Sequence, residues 1–99
     1  MILLKKQAVV INIQDNVATV VDDFTAGTII NFYVGDTEHS VRLLQDIPLG
    51  HKVAIRNIRA NENIIKYGES IGTATKNIQA GEHVHIHNME SQRGRGDKK

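Results

Sequence analysis

Gly81-Glu82-His83-Val84-His85-Ile86-His87-Asn88 sets a histidine at every second position and a β-branched apolar residue at each position between. On a helix, residues two apart point roughly 200° away from each other, whereas residues i, i+2 and i+4 of a strand line one face. The stretch therefore predicts a strand over 83–87 with an imidazole face and an aliphatic face. Val84 and Ile86 are expected to be buried, which turns the histidines toward a cleft, a partner or water.

The same stretch begins inside a pattern that recurs along the chain. Asn77-Ile78-Gln79-Ala80-Gly81-Glu82-His83-Val84 matches Asp23-Phe24-Thr25-Ala26-Gly27-Thr28-Ile29-Ile30 and Asp46-Ile47-Pro48-Leu49-Gly50-His51-Lys52-Val53. Asn57-Ile58-Arg59-Ala60-Asn61-Glu62-Asn63-Ile64 is a weaker copy. Each position has a physical reason. The acid or amide can cap a turn, Gly (once Asn) supplies a positive φ, and the apolar pair brackets the turn and packs inward. The irregular spacing of the copies excludes a solenoid.

Between these turns lie short β-rich runs at 7–14, 17–21, 29–34, 40–44, 52–55 and 64–67. Asp15-Asn16 and Gly35-Asp36 read as hairpin turns. Residues 69–76 read as a short strand or an irregular crossing. No stretch has the period of an amphipathic helix, so the fold class is all-β, a compact domain of short strands and tight turns over residues 1–90.

Composition agrees. The chain has 99 residues, 40% of them hydrophobic, with two Phe, two Tyr and no Trp. That length suits one domain with a modest core. There is no cysteine, which excludes disulfides and thiolate metal sites. The start of the chain is not built like a signal peptide and no apolar run spans a membrane, so the expectation is a soluble cytoplasmic protein. Of the net charge of +1, Arg93, Arg95, Lys98 and Lys99 against Asp97 put +3 into residues 91–99 and leave −2 on the rest. The body is not that of a nucleic-acid binder, and the basic end reads as a solvated, disordered tail.

Four blocks carry a resemblance to a known family. They are Asp46-Ile-Pro-Leu-Gly-His-Lys-Val-Ala-Ile55, Ile64-Ile-Lys-Tyr-Gly68, Ile71-Gly-Thr-Ala-Thr75 and the stretch from Gly81 to Asn88. In that order, over about residues 7–90, the chain resembles the amino-terminal module of altronate and galactarate dehydratases. These modules belong to the SAF, or antifreeze-protein-like, domains. The resemblance implies a β-clip fold, and with the chain ending soon after the last block it implies the form in which the module is a separate small subunit. Small subunits of that kind occur in two-component altronate dehydratases and in sulfolactate sulfo-lyase. It further implies a large catalytic partner subunit, a small 2-hydroxy acid as substrate, and a divalent metal, iron in many members, in the holoenzyme.

Such a β-elimination needs a base, a cation beside the substrate carboxylate and an acid for the leaving group. Histidines two apart on a strand stand ~7 Å apart at Cα, so neighbouring imidazoles can share one ion, while the outer pair at ~13 Å does so less readily. His83, His85 and His87 are thus the candidate metal ligands, and His85, His87 and Lys66 the candidate catalytic groups. His51, Lys52, Tyr67 and Asn88 are candidates for substrate binding. The residues alone leave plainer readings open: a hydrated histidine face, a polar pair beside the Gly50 turn, a strand-end lysine with a half-buried tyrosine, and an asparagine that serves the turn after the strand. Gly72 has a backbone reason, and His39 is read as merely exposed.

No complete enzyme is legible. The first expectation is an accessory subunit of a metal-dependent sugar-acid dehydratase, inactive alone. The alternative is a free-standing β-clip module that binds a sugar acid, polysaccharide or metal ion without catalysis. A third is a structural oligomerisation domain, and short exposed strands leave a homo-oligomer open.

Overall fold

The structure of the chain, a computed structural model, describes residues 7–91. The basic stretch expected to be a tail lies outside the described residues from position 92 onward. Among the described residues there are strands and turns and no helix, hence none long and apolar enough to cross a membrane.

Nine strands follow one another: β1 (Ala8–Val9), β2 (Val17–Val20), β3 (Ile29–Val34), β4 (Thr37–Arg42), β5 (Lys52–Ala54), β6 (Asn63–Lys66), β7 (Glu69–Ala74), β8 (His83–Val84) and β9 (Met89–Ser91). All pairings are antiparallel. A central sheet runs in the order β1-β2-β5-β8, flanked by the hairpin β3-β4 and the three-stranded sheet β6-β7-β9.

Register explains how so few apolar residues build a core. Ala18 pairs with Val53, and Val17 with Ala54. Cross-strand partners project to the same side, and successive residues to opposite sides. Ala18, Val20 and Val53 accordingly pack with Ile30, Phe32, Leu43 and Ile47 of the first half of the chain. Val17, Ala54 and Val84 pack from the other face with Ile58, Ile64, Ala74 and Ile78 of the second half. The central sheet is the shared wall between two small cores.

The four repeated turns pair off. Phe24 and Ile47 exchange backbone hydrogen bonds of 3.0 and 2.8 Å, and Ile58 and Ile78 do the same at 2.8 and 2.7 Å. Gly27, Gly50, Asn61 and Gly81 have φ of 92°, 83°, 76° and 99° as the pattern predicts. Each donates its N–H to a carbonyl outside its turn, of Leu43, Val20, Ala74 and Ala54 respectively. The capping acids and amides act across the pair: the side chains of Asp46 and Asp23 accept from Ala26 and Leu49, and those of Asn77 and Asn57 from Ala60 and Ala80. The chain is thus a duplicated unit of turn, hairpin and turn.

Two sequence expectations need correction. The 7–14 run is a strand only at β1, and Ile11 and Ile13 stand exposed. Beyond β1 the backbone folds round the buried carboxylate of Asp15, which accepts N–H bonds from Ile11, Asn12 and Gly68. The 83–87 strand stops at Val84, and Ile86, expected in the core, is 82% exposed. The chain must leave the central sheet there, because β9, which the sequence reading did not foresee, pairs with β7. Residues 69–76 resolve into the strand β7 over Glu69–Ala74. Gly72 within it is buried against β9, where an added Cβ would lie 2.4 Å from the Glu90 carbonyl oxygen.

Candidate functional site

β5 and β8 lie side by side, Lys52 opposite Val84 and Val53 opposite His83. This pairing brings His51, at the entry to β5, against the histidine-rich end of the chain. His51 Nδ1 and His83 Nε2 are 2.9 Å apart and share one hydrogen bond. The His85 ring centroid lies 4.7 Å from that of His51 and 5.4 Å from that of His83, stacked on the latter at 10°. His87 adds a fourth ring 5.4 Å from His83.

The backbone under these rings is tied down. Gly81 sits so close to the end of the β3-β4 hairpin that a Cβ would fall 2.2 Å from the Arg42 carbonyl oxygen, and its own carbonyl accepts from Leu44. The His83 N–H donates to the Gln45 side chain, which covers the outer edge of β8. Asn88 is 3% exposed. Its side-chain oxygen accepts from the His85 N–H and its Nδ2 donates to the His83 carbonyl, both at 2.9 Å. Its backbone N–H closes the turn onto the His85 carbonyl. Both polar atoms of the Asn88 side chain thus serve the turn that aims the imidazoles. That turn is also why the alternating pattern does not continue as a strand.

Crowding sets the protonation of the group. Burial first, then the neighbouring His51, His87, His85 and Lys52, pull His83 from 6.5 down to about 4. His85 is lowered by burial and then by His51, Lys52 and His87. Both rings thus favour the neutral form, with a lone pair free on one nitrogen of each. Lys52 is lowered by burial and then by Lys66, so two ammonium groups act on one another beside the imidazoles. Tyr67 lies under Lys66, whose Nζ is 5.0 Å from its ring centroid. Tyr67 itself occupies the hairpin turn at φ 54°. Glu82 turns away, its carboxylate accepting from the Gln79 N–H. His39 is exposed and stacks on Phe32, apart from this group.

The structure redraws the metal candidates. Among the described residues, the set whose ligand atoms lie within 4.8 Å of one another is His51, His83 and His85. His87, also expected as a ligand, is exposed and lies outside that set, while His51, expected to bind substrate, lies within it. The sequence did hold a signal for this exchange: His51-Lys52 and Glu82-His83 follow glycine at matching points of two repeats. What it lacked was the pairing of β5 with β8.

Residues 6–92 match the family model described as the altronate/galactarate dehydratase SAF domain. The chain belongs to this family. It is 40% identical over 76 residues to the (2R)-sulfolactate sulfo-lyase subunit alpha of Chromohalobacter salexigens, covering 75% of this chain and 81% of that one. It is also 37% identical over 86 residues to the altronate dehydratase of Bacillus subtilis, and 42% identical over 85 residues to that of Escherichia coli. Those matches take up 87% and 86% of this chain but only 16% of either dehydratase. The chain therefore spans a small part of the dehydratases and most of the length of the sulfo-lyase subunit.

Proposed function

We propose that this SAF chain is the small subunit of a two-component, metal-dependent lyase acting on a 2-hydroxy acid, most specifically a sugar-acid hydro-lyase of the altronate or galactarate type. It contributes part of the substrate and metal site and is inactive without a large catalytic subunit. A cytoplasmic location goes with that role in small-molecule metabolism.

The observation that carries the reading is the surface built by β5, β8 and the following turn. Four imidazoles lie there, each in ring contact with at least one other, with Lys52 acting on His83 and His85 and Lys66 acting on Lys52. In the elimination, a proton leaves the carbon beside the carboxylate, the bond to the leaving group on the next carbon breaks, and the enol formed becomes a ketone. Charge gathers on the carboxylate as the proton departs, and fixed cations nearby stabilise it. Lys52 and Lys66 suit that task. His85, held toward its neutral form, offers a lone pair that can accept the substrate proton, and His87 stands exposed beside it. A metal, when bound, would supply Lewis-acid stabilisation of the same carboxylate. His87 is exposed and His51, His83 and His85 are only half-buried, which fits half of a site completed by another chain. The sulfo-lyase relative is itself named as a subunit, matched over most of its length.

The test is to recover the tagged chain from extract of its native cells and assay the eluate for dehydration of sugar acids. Co-purification of a large subunit with that activity, absent from either chain alone, is the expected result. A chain that elutes alone and restores activity to no dehydratase-type partner overturns the reading and leaves the free-standing binding module in its place.

A further inference from the structure

We propose that His51, His83 and His85 form a site for one divalent first-row transition-metal ion that this chain assembles by itself. The inference deepens the reading of the same surface, but its test needs no partner chain, so the two can fail separately.

The three ligands come from three supports, each with its backbone already fixed. The His51 N–H donates to the Pro48 carbonyl, the His83 N–H to the Gln45 side chain, and the His85 N–H to the Asn88 side chain. Ordering these groups is thus achieved by folding rather than by the ion, the condition for a tight and specific site. Nitrogens on one ion at bonds of about 2.0–2.1 Å stand about 3 to 3.5 Å apart. The His51–His83 pair, at 2.9 Å, is already close to that spacing, and the proton the two nitrogens share moves to the far nitrogen of its ring, or to solvent, when the ion binds. With all ligand atoms inside 4.8 Å, the widest pair must close by about an ångström, which side-chain rotation supplies.

The donor set also says which ions fit. Three imidazole nitrogens suit zinc, iron, cobalt, nickel or copper, whereas magnesium and calcium require oxygen ligands. A three-histidine site keeps a coordination position open. The carboxylate and hydroxyl oxygens of a 2-hydroxy acid are the natural occupants of such a position. Lys52, whose charge acts on both His83 and His85, favours an anionic occupant of that position.

The experiment is a titration of the metal-free 99-residue chain with Co²⁺, followed by visible absorption, with Zn²⁺ competition and calorimetry alongside. Saturation at one equivalent, displacement by Zn²⁺ and no response to Mg²⁺ or Ca²⁺ are expected. His83→Gln and His85→Gln should each weaken binding at least about tenfold, while His39→Gln leaves it unchanged. Melting curves establish that each variant is folded, and His51→Gln, at the entry to the neighbouring strand, substitutes for either that is not. No saturable uptake by the folded wild-type chain overturns the site. So does uptake that persists in all three cluster variants, or that His39→Gln abolishes equally.

Discussion

Asp23 and Asp46 cap one another's turns. The Asp23 carboxylate accepts from the Leu49 amide at 2.7 Å, three residues past Asp46, and Asp46 accepts from the Ala26 amide at 2.8 Å, three residues past Asp23. In the second unit Asn57 and Asn77 do the same with Ala80 and Ala60, at 3.0 and 2.9 Å. An oxygen acceptor is thus the common requirement and charge is not.

Asp23→Asn and Asp46→Asn should therefore be nearly neutral. Asp46→Ala and Asn77→Ala should each cost about 1 kcal/mol, by analogy with the loss of a helix cap, read from urea midpoints at constant slope. An alanine series indistinguishable from the asparagine series would remove the caps from the account of stability.

Those caps mark where sequence reading succeeds and where it stops. Positive φ at Gly27, Gly50, Asn61 and Gly81 is a local property and was legible from the repeated pattern, as were the all-β class and the hairpin at Gly35-Asp36. That each acid serves the opposite turn depends on pairing between distant segments. The same limit hid His51: its neighbours in space, His83 and His85, are set by the pairing of β5 with β8. Alternation over 83–87 looked like a strand because period two is all that a local pattern conveys. Asn88, whose buried side chain binds both ends of the bend, decides otherwise.

Asn88→Ala should be among the costlier substitutions on this face. It leaves the His83 carbonyl and the His85 N–H without the partners they now have, and an unsatisfied buried group costs about 1–3 kcal/mol. Loss of the turn also releases His85 from the stack on His83. Urea denaturation should show the loss of stability, and Co²⁺ titration a weaker site in the folded fraction. Unchanged Co²⁺ affinity would mean that the turn does not position the ring.

The metal-free chain should lose stability on mild acidification. Unfolded, His83 takes up its proton near 6.5; folded, it resists until about 4. Between those values the unfolded chain holds more protons, so stability falls as pH drops. The contribution is fully present above 6.5, lost progressively down to about 4 and flat below. His85, lowered for related reasons, acts in the same sense. Urea midpoints with a chelator at pH 7 and 4.5, in wild type and His83→Gln, isolate this term from the carboxylates. An equal drop in both chains would take His83 out of the explanation.

Thr19 lies opposite Lys52 in the β2–β5 ladder and buries its Oγ1 with no hydrogen-bond partner among the described residues. Valine keeps the shape and β-branching while removing that hydroxyl. Thr19→Val should stabilise by about 1 kcal/mol, raising Tm by about 4–8 °C for a domain of this size. A lower Tm would show that the hydroxyl has a partner, such as water, worth more than its burial costs.

Ile86 stands 82% exposed between His85 and His87, on a turn held by Asn88. The two-component reading gives that isoleucine a place: it meets the large subunit when the imidazole face is covered. Burying such a side chain contributes about 1.5–3 kcal/mol, roughly ten- to a hundredfold in affinity. Ile86→Asp should leave the melting curve and Co²⁺ uptake of the isolated chain unchanged, because the side chain touches neither core. It should weaken assembly with the large subunit by at least that factor, measured by calorimetry or by the protein concentration needed for half-maximal activity. Assembly at wild-type affinity would show that the partner docks elsewhere, and the histidine face would then no longer be the shared wall of the active site.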